Sequence, residues 1–237
     1  MAVALTPDAC LYRNIDTAHN VYYSACGWVR LDGDRGSYTI LAYFGNNFIS
    51  RGFQWTIEPS GLLVCYRLMD FVDLLDGTGP SPQIGEWWFL GLTTIGPDIP
   101  DNIELYVGKH GDASLAQVTA SFSGEYDYKF TGIGCRPTDD GSGDVGPDGQ
   151  YDAWRLHGSV WGWRTWEDRT LTPTEMLAEF QATAPPADDD SLWSSWLLDS
   201  AATAGDDASG NGRDLTIETG TTGSIDDADG PFDTPSG

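Results

Sequence analysis

The sequence contains very few basic residues. Only Lys109 and Lys129 are lysines, and the basic total of 12 stands against 36 acidic residues, giving a formal charge of −24. Binding to nucleic acid or anionic lipid requires clustered Lys and Arg that neutralise phosphates. The chain is therefore not expected to bind DNA, RNA or an anionic membrane surface. Its acidity, mostly aspartate, is consistent with solubility, with adaptation to high salt, or with cation binding.

Long apolar runs and closely spaced cysteines are also missing. No stretch reaches 18 apolar residues, so no segment is expected to span a membrane. Residues 1–25 show no basic region followed by an apolar run, so no signal peptide is predicted and synthesis in a host cytoplasm is expected. Cys10, Cys26, Cys65 and Cys135 are too widely spaced for a metal knuckle or a redox motif. We expect reduced thiols that act as small buried hydrophobes.

Segments with the pattern of β-strands make up most of the chain. They alternate between apolar and polar residues, are rich in β-formers, and are separated by turn signals roughly every ten residues, a spacing typical of a sandwich or barrel. The segments lie at 21–31, 37–44, 53–57, 62–68, 86–95, 102–110, 118–124, 128–135, 152–166, 191–199 and 213–217.

One segment has the signals of a helix start. Thr172 suits the N-cap, Pro173 suits the first helical position, and Glu175, three residues after the cap, completes a capping box. A short helix is therefore predicted over residues 173–181.

Three tryptophans lie in the segment just before this helix. In a regular strand, Trp161 and Trp163 share one face and Arg164 lies on the other. We expect the aromatic face to lie in the core and Trp166 to pack under the helix. A sugar-binding platform on this strand would instead require exposed rings.

The order of several segments resembles a known family. TPDACLYRNID, HNVYYSACGWVRL and SYTILAYFGN are similar to the opening strands of laminin-G-like, concanavalin A-like domains, and GFQWTIEPSGLLVCY is similar to the hairpin after them. IGEWWFLGLTTI with NIELYVGKHGD resembles the paired central strands. GSVWGWRTWEDRTLTPTEM resembles the penultimate strand and short helix, and DDASGNGRDLTI resembles the tail of bacterial and phage members. The resemblance implies an all-β fold, a two-sheet antiparallel jelly-roll sandwich with one short helix near 173–181.

The predicted sandwich covers residues 1–200. Residues 201–237 form a tail rich in Gly, Asp and Thr that is expected to complete the sandwich in part. Within it, Asp207 and Asn211 are expected to set a turn by side-chain to backbone hydrogen bonds. The few apolar residues of the tail could secure it to its own domain or to a neighbouring subunit.

Candidate ligand-binding residues lie in loops, where binding residues concentrate. Asn46, Asn47 and Phe48 combine amides with an aromatic ring, a combination suited to sugar hydroxyls and a sugar face; an ordinary turn is the alternative. Asp70 and Asp73 lie in a long loop that is expected to meet a ligand or a partner subunit.

The acidic loop Thr138–Asp152 is a candidate Ca²⁺ site, because carboxylates and glycines can wrap this ion. Its candidate ligands are Asp139, Asp140, Asp144 and Asp148. The loop is not an EF-hand, because the glycine and the final glutamate of that motif are missing. Laminin-G-like and pentraxin relatives often bind calcium through ligands spread over loops. A solvated loop without metal is the alternative.

Catalysis is not predicted. Some concanavalin A-like relatives are glucanases with a Glu-x-Asp-x-x-Glu strand, but the nearest segment here, Glu125 to Phe130, lacks the second glutamate. His19, His110 and His157 have no partner at nucleophile or metal-ligand spacing, and no phosphate-binding loop occurs.

A binding module or a structural protein remains. An extracellular type of fold without a signal peptide favours a virion-associated protein of a phage or virus, on the surface, as a capsid decoration or as a tail accessory. Its expected partners are virion subunits of its own or another kind, and cell-surface glycans. The alternative is a free-standing, lectin-like carbohydrate-binding module.

Overall fold

The structure of the chain is a computed structural model. It describes residues 1–6, 9–14, 23–33, 36–46, 51–67, 72–94, 103–120, 130–139, 145–147, 154–181, 191–219 and 223–233.

These residues form β-strands and one short α-helix. The strands are β1 (Ala2–Leu5), β2 (Cys10–Asn14), β3 (Tyr23–Leu31), β4 (Thr39–Asn46), β5 (Arg51–Ile57), β6 (Leu63–Arg67), β7 (Val72–Asp73), β8 (Trp87–Thr94), β9 (Ile103–Lys109), β10 (Ala116–Ala120), β11 (Phe130–Ile133), β12 (Pro137–Asp139), β13 (Val145–Pro147), β14 (Gly158–Glu167), β15 (Leu192–Trp196), β16 (Thr216–Glu218) and β17 (Ile225–Ala228), and the helix is α1 (Pro173–Phe180).

Two large antiparallel sheets form the sandwich. The eight-stranded sheet has the order β10-β9-β8-β3-β14-β1-β17, and β15 pairs with the second half of β14. The seven-stranded sheet has the order β16-β2-β11-β4-β5-β6-β7, and β12 and β13 form a small separate hairpin. The all-β, two-sheet antiparallel jelly-roll predicted from the sequence is therefore confirmed.

The main core lies between the two sheets. Alternate residues of strands such as β5 and β8 point into it, among them Phe53, Trp55, Leu90 and Leu92. The stacked rings of Phe44 and Trp163, with centroids 5.9 Å apart, join the two sheets near the middle. Other buried members are Leu41, Leu63, Cys65 and Leu105.

A second core lies under α1, on the outer face of the eight-stranded sheet. The predicted capping box is present: the Thr172 hydroxyl accepts from the Glu175 N–H, and the Glu175 carboxylate accepts from the Thr172 N–H at 2.8 Å. The helix ends at Phe180, one residue before the predicted end. Its apolar side packs on an aromatic sheet face made of Trp28, Phe89, Tyr106 and Trp166. Trp166 is fully buried there, as predicted.

The prediction that Trp161 and Trp163 share one face is wrong. A β-bulge in β14 places both Gly162 and Trp163 opposite Gly27 alone, and Gly162 has a φ of 61°. This extra residue reverses the alternation, so Trp163 enters the main core while Trp161 lies half-buried at the rim of the second core. Gly27 is required opposite the bulge, because a Cβ there would lie 2.0 Å from the Trp163 ring.

The tail adds one strand to each sheet. β16 pairs with β2 and β17 pairs with β1, both antiparallel. Leu215 is buried in the main core, and the ring of Phe232 contacts Trp28 and Trp161 at centroid distances of 5.5 and 5.3 Å. The tail is thus packed on its own domain.

The turn predicted in the tail is confirmed. The Asp207 carboxylate accepts from the backbone N–H of Ser195 and of Arg213, each at 2.9 Å. The Asn211 amide donates to the backbone carbonyl of Leu192 at 2.9 Å. These contacts fix the turn to β15.

The expectation of four reduced cysteines is wrong for two of them. Cys10 and Cys135 form a disulfide with their Cα atoms 5.4 Å apart, within the usual range for such a bridge. Their separation of 125 residues gave no sequence signal for pairing. Cys26 and Cys65 are free and buried, as expected.

In the part of the chain that the structure describes, no helix has the length and apolar character needed to cross a membrane.

Candidate functional site

A row of positions crosses the outer face of the seven-stranded sheet. Each position lies directly opposite the next on the neighbouring strand, so all of them share one face. Their chain neighbours, such as Leu11, Phe44 and Cys65, point into the main core. From β16 to β7, this cross-strand row consists of Thr216, Tyr12, Gly132, Tyr43, Gln54, Tyr66 and Asp73.

The middle of the cross-strand row is buried and its β6 end is accessible. Tyr43 is 0% exposed and Gln54 is 4% exposed, whereas Tyr66 is only half-buried. The Arg136 guanidinium lies 5.6 Å from the centroid of the Tyr43 ring. A ligand can therefore approach the row at Tyr66 but not at Tyr43.

Glu58 lies beside this accessible end, directly after β5. Its carboxylate accepts a hydrogen bond from the Tyr66 hydroxyl and another from the Ser60 hydroxyl at 3.2 Å. Burial raises the pKa of the Tyr66 phenol above its usual value, and the hydrogen bond to Glu58 raises it further. The phenol thus stays protonated and donates to a carboxylate that is held in place from two sides.

A second aromatic side chain, Tyr38, lies near Tyr66, and a third, Trp154, packs on Tyr38. Tyr38 precedes β4, and its ring packs on that of Trp154 with centroids 5.0 Å apart and a tilt of 42°. Both side chains are half-buried, and Tyr38 is close enough to Tyr66 to raise the pKa of its phenol. Partly exposed rings next to oriented polar groups are suited to an amphipathic ligand.

A cleft of about 270 Å³ opens on the other side of Glu58, at the end of the sandwich. Its volume is near the lower end of the roughly 300–1,000 Å³ typical of ligand pockets, so it suits a small unit. The lining residues that have hydrogen-bonding side chains are Ser37, Thr39, Glu58, Ser60 and Gln83.

The turn between β5 and β6 forms one wall of the cleft. Pro59 and Ser60 lie at its tip, and the Gly61 N–H donates to the Glu58 carbonyl at 2.8 Å. Gly61 has a φ of 83°, a conformation that side-chain-bearing residues rarely adopt. The turn therefore holds Glu58 and Ser60 in a fixed relation.

Among the predicted ligand-binding residues that the structure describes, Asp73 lies next to this site. It is directly opposite Tyr66, but its carboxylate accepts from the backbone N–H of Leu75 at 2.9 Å and of Gly77 at 2.8 Å. These bonds show that Asp73 also closes the turn after β7.

Of the other predicted ligand-binding residues, the structure describes only Asn46, which is not brought to this site. Asn46 is the last residue of β4, at the end opposite Thr39 and the cleft. Asn47, Phe48 and Asp70 lie outside the described residues.

The predicted calcium loop falls largely outside the described part of the chain. The backbone of Asp139 pairs with that of Val145 in the β12–β13 hairpin, while Asp140, Asp144 and Asp148 are not described. Among the residues that the structure does describe, no group of three or more His, Cys, Asp or Glu side chains could hold a metal ion. Calcium binding by this loop stays a prediction.

Sequence reasoning missed Glu58, Tyr66, Tyr38 and Trp154. A partial signal was available, because strand alternation places Gln54 and Glu58 on the same face of β5, away from the apolar Phe53 and Trp55. The pairing of this face with Tyr66 depends on strand register, which the sequence does not show.

Comparisons with known proteins support the fold. No protein-family model and no curated protein matches the chain. A candidate carbohydrate-binding protein of Bacteroides ovatus has a TM-score of 0.63 and 15% identity over 97% of this chain and 60% of its own length. A heptameric SAP-like pentraxin of Limulus polyphemus has a TM-score of 0.57 and 11% identity over 96% of this chain and 95% of its own.

A third similar structure belongs to a virus. Tailspike protein 2 of the Escherichia coli O157:H7 bacteriophage CAB120 has a TM-score of 0.53 and 13% identity. The match covers 84% of this chain but 26% of the tailspike. The chain thus spans about three fifths of the Bacteroides protein and a quarter of the tailspike. At these identities the likeness shows the fold, which is the concanavalin A-like, laminin-G-like β-sandwich.

Proposed function

We propose that this chain is a non-catalytic glycan-binding module and that its site is the Tyr66 end of the cross-strand row together with the cleft beside Glu58. The observation that carries the proposal is the fixed carboxylate of Glu58, which lines a cleft that also has hydroxyl- and amide-bearing residues and which accepts a hydrogen bond from Tyr66. The partly exposed Tyr66 ring and the nearby Tyr38–Trp154 pair supply the aromatic surface. Sugars present apolar ring faces and polar hydroxyls, so they require both kinds of group. The fold shared with a candidate carbohydrate-binding protein supports the proposal.

The size of the cleft favours a terminal sugar over the middle of a long polymer. A volume of about 270 Å³ holds a small unit, and the Pro59–Gly61 turn closes one side. In this arrangement Glu58 accepts hydrogen bonds from sugar hydroxyls, while the rings of Tyr66, Tyr38 and Trp154 contact the apolar sugar face.

Binding to a glycan array followed by calorimetric titration tests the site. Glu58→Gln removes the charge that strengthens its hydrogen bonds, and a lost charged bond costs roughly 1.5–3 kcal/mol, so affinity is expected to fall at least about tenfold. The matched control is Glu104→Gln. Glu104 accepts from the Tyr106 hydroxyl on the outer face of the other sheet in the same way.

Two results would contradict this site. Failure of every glycan to bind would reject glycan recognition itself. Equal affinity of Glu58→Gln and Glu104→Gln for a glycan that does bind would reject the location.

Absence of catalysis is part of the proposal. Incubation with β-glucans and chromogenic glycosides is expected to release no product, because the glucanase motif lacks its second glutamate. Turnover that disappears in Glu125→Gln would show that the chain is a hydrolase. Glu125 and Asp127 lie outside the described residues.

The second candidate function concerns where the module works. The fold shared with a bacteriophage tailspike over 84% of this chain favours a place on a virion, as a surface, decoration or tail accessory protein. Its partners would be virion subunits and the glycans of a host surface. Mass spectrometry and immuno-electron microscopy of particles from the native source test this. Particles without the protein would leave the free-standing carbohydrate-binding module.

A further inference from the structure

The edge strands of the two sheets differ in length and charge. β17 carries Asp226 and Asp227 at its centre, β16 ends in Glu218, and β7 has only two residues. β10, with the sequence AQVTA, has five residues, no charge and no proline. Natural edge strands are usually protected by charge, proline, a bulge or shortness. Of the terminal strands in the sheet orders, β10 has none of these features.

One side of β10 offers its backbone for pairing. Its residues pair with Ile103–Lys109 in an antiparallel ladder, and within the described ranges no strand pairs with its other side. Ala116, Gln117 and Thr119 are exposed. Val118 and Ala120 are partly buried and pack on the rim of the main core. Among the described residues, the edge thus presents backbone groups without a strand partner and a partly covered apolar rim.

The sequence of β10 is self-complementary when the β10 strands of two copies pair antiparallel about a two-fold axis. With Val118 facing Val118, Gln117 faces Thr119 and Ala116 faces Ala120, because opposed residues in an antiparallel pair share a face. The valines and alanines then lie on the core side, where they continue the apolar rim from one copy to the other. Gln117 and Thr119 lie together on the polar outer side. No charged residue opposes another.

The absence of charge in β10 makes this edge the favourable place for a second copy to bind. Each chain carries a formal charge of −24, so two copies repel one another over most of their surfaces. Pairing through β17 would bring aspartates of the two copies together. We propose that β10 is a self-association surface, at which two copies pair their β10 strands antiparallel and form one continuous sheet.

The same charge predicts how the association responds to salt. A five-residue strand pair is smaller than the roughly 1,200–2,000 Å² interface of a stable complex, so the dimer should be weak. Salt screens long-range repulsion between exposed charges, so the dimer dissociation constant should fall several-fold between 0.05 and 0.5 M NaCl.

Sedimentation velocity of the full chain at these two salt concentrations tests the proposal. Gln117→Lys/Thr119→Lys places lysines of one copy opposite lysines of the other, so the dissociation constant of the dimer should rise at least about tenfold. The two lysines also make each chain less negative, from −24 to −24 + 2 = −22, so a general change in charge would instead favour association. The matched control, Ala202→Lys/Thr216→Lys, makes the same change in net charge on exposed residues elsewhere and should not weaken the dimer. Circular dichroism checks that both variants are folded.

Hydrogen exchange gives a second readout that needs no variant. Backbone amides of residues 116–120 should exchange more slowly as protein concentration rises, because pairing protects them. A monomer at every concentration and salt, or a dimer that protects a different strand and tolerates Gln117→Lys/Thr119→Lys, would overturn the proposal.

Discussion

Loss of the Cys10–Cys135 disulfide should lower the stability of the sandwich substantially. The bridge joins β2 to the turn after β11 and closes a loop with a sequence separation of 125 residues. The chain-entropy relation gives about 5 kcal/mol of stabilisation for a loop of this size, which is above the typical value of about 2–4 kcal/mol. For a chain of this length that corresponds to a fall in melting temperature of about 10 °C.

Urea unfolding of oxidised and reduced protein, followed by tryptophan fluorescence, measures this difference. Because both cysteines are buried, reduction is best done in denaturant before refolding. Thiol titration of the denatured protein should find two free thiols when oxidised, those of Cys26 and Cys65, and four when reduced. The Cys10→Ala/Cys135→Ala variant is the control, because reductant should not change its stability. Equal free energies of unfolding for the oxidised and reduced wild-type protein would refute the reasoning.

Two further predictions concern the tryptophan strand and the acidic loop. Trp163→Ala should lower the free energy of unfolding by roughly 3–5 kcal/mol because its ring fills the main core, whereas Trp161→Ala should lower it by about half as much because that ring is only half-buried. Chemical denaturation measures both losses, and equal losses would contradict the effect of the bulge. Calcium at about 100 times its dissociation constant should add about 2.7 kcal/mol and raise the melting temperature by several degrees, through a site that includes Asp139 and Asp144. Identical melting curves with calcium and with chelator, at fixed ionic strength, would argue against that site.

The fold prediction depended on local sequence patterns. Alternation identified most strands, and the Thr172–Glu175 capping box located α1, because both signals depend on residues close together in the sequence. The bulge in β14 was missed although a glycine inside a strand is a known sign of one. Reading Gly162 as an ordinary strand residue placed Trp161 on the wrong face.

Long-range features could not be predicted in this way. The pairing of Cys10 with Cys135 depends on the path of the chain through both sheets, and nothing in their spacing indicates it. The candidate site depends on such contacts only in part. Glu58 and Tyr66 lie close together in the sequence and meet within the β5–β6 hairpin, through its strand register. The Tyr38–Trp154 contact, in contrast, joins two distant parts of the chain.

The tail strands have a consequence for how the domain folds. Thr6 and Ser224, which exchange hydrogen bonds beside the β1–β17 pair, lie 218 positions apart, and β2 is flanked on one side by β16. The β1 and β2 ladders are therefore complete only when strands from the far end of the domain pair with them. Such non-local pairing slows folding and leaves open strand edges exposed meanwhile. The sandwich is thus closed in each sheet by a contact between the first and the last strands of the domain.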